Sequence, residues 1–173
     1  MKNNSPLYNF SMLMLLVCAA LALASCATVI SREGLKRVDD DLDFSRLLRD
    51  PQAHMDKTVL LGGTIIETEN YSHRTVLAVI QYPLGSGKRP DSSKSSGGRF
   101  LLSTTEFLDP AIYRLGRQVT VLGSVSGQET RPLQERMYTY PIIELSEIYL
   151  WPERAASSAG TGFHFGVGIG IGF

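Results

Sequence analysis

An apolar run from Met12 to Ala24 limits everything that follows it. Its 13 residues fall short of the roughly 20 that a membrane-spanning helix needs, and suit the core of a secretory signal. Lys2 and the free amino terminus give the start a weak positive charge. A segment of this kind is removed after export and takes no part in the fold, so residues 1–25 are read as a signal peptide. Of the 173 residues, 148 then remain, enough for one modest core.

The chain has two cysteines, Cys18 inside the apolar run and Cys26 directly after it. The mature protein would keep Cys26 alone, which excludes an internal disulfide and a cysteine-based zinc site. A lone thiol in an exported protein becomes oxidised or paired unless it is blocked. Leu23-Ala24-Ser25-Cys26 resembles the bacterial lipobox, which supplies the block. A thiolate is the strongest nucleophile available to accept a diacylglyceryl group. Small residues at 24 and 25 let an extended backbone enter a peptidase that cuts between Ser25 and Cys26. One acyl chain holds a membrane only marginally, whereas two or three anchor stably. Ala27, where retained lipoproteins carry Asp, favours the outer membrane by resemblance to sorted bacterial lipoproteins. The expectation is a lipid anchor on Cys26 at the periplasmic face of the outer membrane. An ordinary secreted protein with an incidental cysteine is the alternative.

Beyond Cys26, residues 26–41 are rich in charge and read as a solvated tether. Leu42 to Arg49 has apolar residues three and four apart, which predicts a short amphipathic helix ended by Pro51. The remainder, to residue 152, is mostly β. Strands are expected at Thr58–Ile66, with Gly62-Gly63 as a bulge or bend, and at Thr75–Tyr82, Arg99–Thr104 and Gln118–Val125. Met137–Trp151, interrupted near Pro141, gives a fifth strand and room for a sixth. Asp109-Pro110 opens a helical turn between the third and fourth. Five or six short strands with one or two short helices predict a mainly β, OB-like barrel, with a β-sandwich as the alternative.

Charge is balanced at 17 basic and 17 acidic residues, so nothing suggests the clustered basic surface of a nucleic-acid binder. The glycine- and serine-rich stretch 85–98 reads as a flexible loop. Its excess of Lys88, Arg89, Lys94 and the adjoining Arg99 suits a solvated hairpin loop, or contact with anionic headgroups. No constellation marks an enzyme, a metal or a cofactor. His54, His73 and His164 lack paired ligand spacing, and no serine sits in a G-x-S-x-G turn. Asp39-Asp40-Asp41 has no calcium-loop pattern around it. Glu144 and Glu147 are not a catalytic pair on spacing alone. Tyr138, Tyr140, Tyr149 and Trp151 suit packing at the core and barrel edge, or a binding surface.

Residues 153–173 form a separate tail. From Phe163 to Phe173 it alternates bulky apolar residues with glycine, so a strand here would put every large side chain on one face. Its length matches a membrane-crossing β-strand, although one strand cannot span lipid with its backbone unpaired. Edge pairing, a membrane-surface contact, a disordered tail, or insertion with a partner's strands through residues 163–173 all stay open.

These motifs together resemble the starvation-inducible outer-membrane lipoproteins, the Slp family. The matching stretches include Gly62-Gly63-Thr64-Ile65, Gln81-Tyr82-Pro83-Leu84, Gly87-Lys88-Arg89-Pro90 and Gly98-Arg99-Phe100-Leu101. Phe107-Leu108-Asp109-Pro110, Gly116-Arg117 and Ile148-Tyr149-Leu150-Trp151-Pro152 complete the pattern. The resemblance covers residues 26 to 152 and carries over one functional position, Cys26. It implies a non-enzymatic, lipid-anchored envelope protein linked to starvation or stress. A small module binding an envelope glycan, peptide or lipid, or an accessory subunit of an envelope complex, are the rival readings.

Overall fold

The computed structural model describes residues 28–153. Five strands, β1 (Thr58–Asn70), β2 (Thr75–Gln81), β3 (Gly98–Thr104), β4 (Gln118–Leu133) and β5 (Arg136–Leu150), close into a barrel in the order β1-β2-β3-β5-β4. All pairings are antiparallel except β3 with β5. This is the strand order of an OB-fold, and closure removes the open edges that invite aggregation.

β1 makes closure work by changing partners. Thr58–Thr64 pairs with β4 and Gly63–Asn70 with β2, so the two ladders overlap at Gly63 and Thr64. A Cβ on Gly63 would lie 2.2 Å from the Ile80 carbonyl oxygen, and backbone there has no room to yield. The expected bulge lies three residues later, where the register slips between Ile65 and Glu67. The glycine pair is thus the close crossing point, and the bend follows it.

Alternate residues point inward and build the core: Val59 and Leu61, Leu77 and Val79, Phe100 and Leu102, Val119 and Val121. Helix α2 (Phe44–Arg49), capped by Asp43, which accepts from the Arg46 N–H at 2.8 Å, closes one mouth. There Phe44 meets Phe100 edge-on, with centroids 5.9 Å apart. Leu108, beyond the far end of β3, is buried in the same cluster.

Several expectations change. The stretch read as a solvated tether is, from residue 28 to 41, part of the fold. Helix α1 (Arg32–Leu35) lies on the outside of β4 and β5, Ile30 is 2% exposed, and the Asp39 N–H donates to the Thr58 carbonyl at 2.9 Å. Charge content misled because one isoleucine and Gly34 make the contact while the charged residues face out. Cys26 lies outside the described residues. Residues 137–150 form one strand and not two: β5 runs through Pro141, paired there with Gln128. Pairing of β5 with β3 starts only at Ile142, so Pro141 occupies an edge position where a missing N–H is tolerated. The Asp109 turn forms, with its carboxylate accepting from the Ala111 N–H at 2.8 Å, but does not extend into a helix.

β4 and β5 outrun the barrel and form a two-stranded ribbon that folds back. Tyr138 and Tyr140 from the ribbon, with Ile142 where it joins the barrel, cover Val76, Ala78 and Leu101 on the outer face of β2 and β3. Arg131 ties the ribbon down, donating to Glu69 of β1 and to Glu129, each at 2.7 Å.

Candidate functional site

The β2–β3 face and the loop between β4 and β5 are where OB-folds usually take ligands. Here the chain's own ribbon occupies that face. The open concavity lies elsewhere, a cleft of about 560 Å³ at the end of the barrel where β4 begins and β5 finishes. Four separate segments meet in it: Thr64 of β1, the loop after β2, the β3–β4 loop leading into β4, and residues 151–153.

Trp151 is the fixed point. Its backbone N–H continues the ladder to the Gln118 carbonyl at 2.9 Å, and its indole N–H donates to Thr120 Oγ1 at 2.9 Å. Tyr149 packs against the ring edge-on at 4.8 Å. The Arg89 guanidinium sits 5.2 Å from the indole centroid and donates to Gln118 Oε1 at 2.8 Å and the Pro152 carbonyl at 3.1 Å. A stacked, hydrogen-bonded arginine of this kind is held in place as a planar fork.

Arg89 reaches the cleft because the loop read as flexible is laid against β4. Leu84 bridges Pro90, Pro90 is buried, the Gly85 N–H donates to the Arg89 carbonyl, and Thr120 Oγ1 donates to the Lys88 carbonyl at 2.6 Å. Glycine and serine content suggested flexibility, yet the backbone polar groups find partners on a strand far away in sequence.

The β3–β4 loop supplies Arg114 and Arg117. Gly116, with φ +87°, donates its N–H to the Ile65 carbonyl at 2.8 Å and turns the chain into β4. Arg117 donates to the carbonyls of Trp151 at 3.1 Å and Ile112 at 3.3 Å. Its Nε, buried and without a hydrogen bond, lies 3.5 Å from a Glu153 carboxylate oxygen. Arg114 ion-pairs with the same oxygen. Three guanidiniums therefore share the cleft with one carboxylate. Beside it, Ile112 and Leu115 of the same loop stand 50% and 67% exposed.

Other candidates are not brought together. His54 lines a small hollow with Asp39 and Lys57, while His73 is exposed in the turn between β1 and β2. His164 and the segment 163–173 lie outside the described residues. No group of three potential metal ligands occurs among the described residues. Asp39 forms an ion pair with Lys57 at 2.8 Å, and that contact holds its carboxyl below the ordinary value. Glu147 is engaged by Ser31, apart from any partnership with Glu144. Of the four aromatic residues, Tyr138 and Tyr140 serve the ribbon and only Trp151 lines the cleft. The sequence placed Arg89 in a basic loop and Trp151 among four aromatic residues without joining the two, and gave Arg114 no role.

Fold and cleft together define a small OB-type barrel with its usual ligand face closed and a cationic cleft at one end. Comparison with known proteins gives the family. Residues 23–165 match the outer membrane lipoprotein Slp family, and the chain belongs to it. It is 28% identical to the uncharacterized lipoprotein YeaY of Escherichia coli (strain K12) over 132 residues, 76% of this chain and 68% of that one. It is 26% identical to the outer membrane protein Slp of the same strain over 138 residues, 79% of this chain and 73% of that one. Among solved structures, the mitochondrial single-stranded DNA binding protein Rim1 of S. cerevisiae is similar at a TM-score of 0.37 and 13% identity, covering 58% of this chain and 99% of that one. The OB assignment stands on the strand order alone.

Proposed function

We propose that this chain is exported, cut between Ser25 and Cys26, acylated on Cys26 and anchored at the periplasmic face of the outer membrane. There it acts as a non-enzymatic binding module with a structural or stress-related role. The observation that carries this reading is the family match, which begins at Leu23, the first residue of the lipobox, and includes the whole barrel. The cleft's chemistry supports binding over catalysis. Its cations are guanidiniums, which present hydrogen-bond donors and no acceptor.

Palmitate labelling and membrane fractionation of the wild type beside Cys26→Ser test the anchor. The wild type takes up label and fractionates with outer membrane, and Cys26→Ser loses both. A Cys26→Ser chain that still fractionates with outer membrane overturns the reading. Residues 163–173 are then the next candidate for the attachment; the family match ends at residue 165, so most of that segment lies beyond it.

A further inference from the structure

We infer that the cleft and the exposed apolar residues beside it form one membrane-facing site that takes the phosphate of an anionic phospholipid headgroup. This rests on the lipid-anchor reading for its placement, but not for its chemistry. Ile112 and Leu115 project from the β3–β4 loop, exposed among the described residues; the Ile112 carbonyl accepts from Arg117, and Leu115 itself lines the cleft beside Arg114. Apolar side chains rimmed by cations mark surfaces that sit at a lipid–water boundary. The loop presents them in a fixed form, because the Asp109 turn and the Gly116 hydrogen bond to Ile65 hold its backbone.

The cations suit phosphate. A guanidinium fork binds phosphate oxygens in pairs, and Arg117 has an Nε with no hydrogen bond of its own. Glu153, itself 53% exposed, now lies against both Arg114 and Arg117, where an anion from outside would lie. It neutralises one of three positive charges and leaves the cleft cationic.

Distance favours the same occupant. Buried Ile30 is the fourth residue after Cys26, a reach of at most about 14 Å. Ser31 is bound to Glu147, and Trp151 follows four residues later, about 13 Å further along the strand direction. An acylated Cys26 therefore holds the cleft near the bilayer, and the apolar rim favours a lipid headgroup over soluble phosphate.

Trp151 is the chain's single tryptophan and lies in the cleft, so it reports on the site directly. The lipidated full chain is reconstituted in phosphatidylcholine vesicles with brominated acyl chains, and phosphatidylglycerol is then added in rising proportion. Quenching of Trp151 is expected to rise with phosphatidylglycerol. Arg114→Ala, at an exposed position, shifts the half-response to about fivefold more phosphatidylglycerol, the equivalent of about 1 kcal/mol. Leu115→Asp abolishes the quenching while palmitate labelling persists. A labelled chain whose Trp151 ignores phosphatidylglycerol overturns the site and leaves the anchor standing. An equal response to inorganic phosphate overturns the lipid in favour of a free anion. If the chain carries no label, the anchor reading fails, and the same titration with added vesicles still decides the cleft.

Discussion

Ser31 gives both of its donors to the Glu147 carboxylate, the backbone N–H at 2.8 Å and the hydroxyl at 2.6 Å, across 116 residues of sequence. The Ser31 oxygen also accepts from the Gly34 N–H at 2.9 Å, so one side chain caps α1 and moors it to β5. Gly34 is required by the same contact. A Cβ there would come within 2.5 Å of both Glu147 Oε1 and Leu122 Cδ2. Glu147→Gln keeps the shape and removes the charge. It is expected to lower stability by about 1–2 kcal/mol, near the low end for hydrogen bonds to charged groups because the pair is only partly buried. Urea denaturation at neutral pH measures it.

The same pair has a pH signature. The Ser31 hydroxyl, and after it the Ser31 N–H, hold the Glu147 carboxyl below its ordinary value of 4.5. A carboxyl depressed in the folded state binds fewer protons there than in the unfolded chain. Its contribution is therefore complete above pH 4.5 and is lost as pH falls through the lowered folded value. The stability gap between wild type and Glu147→Gln should be constant above that range and shrink as the solution is acidified below it. A gap that stays constant at acid pH would remove the carboxylate from the account.

These contacts show what a sequence of this kind discloses. The strands were legible because alternation puts Leu77 and Val79, or Val119 and Val121, on one face, and local pattern dictates that much. Barrel closure was legible from strand count and turn spacing. The role of residues 28–41 was not, since Ile30 and Gly34 are two small signals in a charged stretch, and Gly34's neighbours Leu122 and Glu147 lie far along the chain. The cleft was hidden for the same reason. Arg89, Arg117 and Trp151 carry no common spacing, and only the fold of β1, β4 and β5 places them side by side.

Gly63 tests the closure. Adding one methyl at the point where β1 passes from β4 to β2 drives it against the Ile80 carbonyl oxygen. Gly63→Ala is expected to cost about 2 kcal/mol or more, since backbone must move to relieve the overlap. Thermal unfolding followed by circular dichroism checks it. A Tm equal to wild type would mean that the two ladders are less tightly crossed than the geometry indicates.

Thr120 tests the cleft's support. It is fully buried, donating to the Lys88 carbonyl at 2.6 Å and accepting from the Trp151 indole at 2.9 Å. Thr120→Val preserves volume and leaves both partners unpaired, at a cost of about 1–3 kcal/mol. The emission of the sole tryptophan should change along with stability, because its hydrogen bond is lost. A stability loss with unchanged emission would show that the indole N–H finds another partner.

Arg131 tests the ribbon that closes the usual OB ligand face. It bridges Glu69 on β1 and Glu129 on β4, and is 21% exposed, so the pair with Glu69 is less screened than an open surface ion pair. The apolar contact of Tyr138, Tyr140 and Ile142 with Val76, Ala78 and Leu101 supplies the larger share of the attachment. Arg131→Ala should therefore loosen the ribbon without unfolding the barrel, for a global loss of about 1 kcal/mol or less. The N–H groups of the ribbon between Gln128 and Tyr140 should exchange faster with solvent, while those of Leu77, Val79 and Val121 keep wild-type protection. Tyr140, 5% exposed, gives the contrasting case: Tyr140→Ala empties the contact and should lower stability by about 3 kcal/mol or more. If Arg131→Ala and Tyr140→Ala raise exchange to the same extent, the ion pair and the apolar contact form one unit, and the ribbon opens all at once.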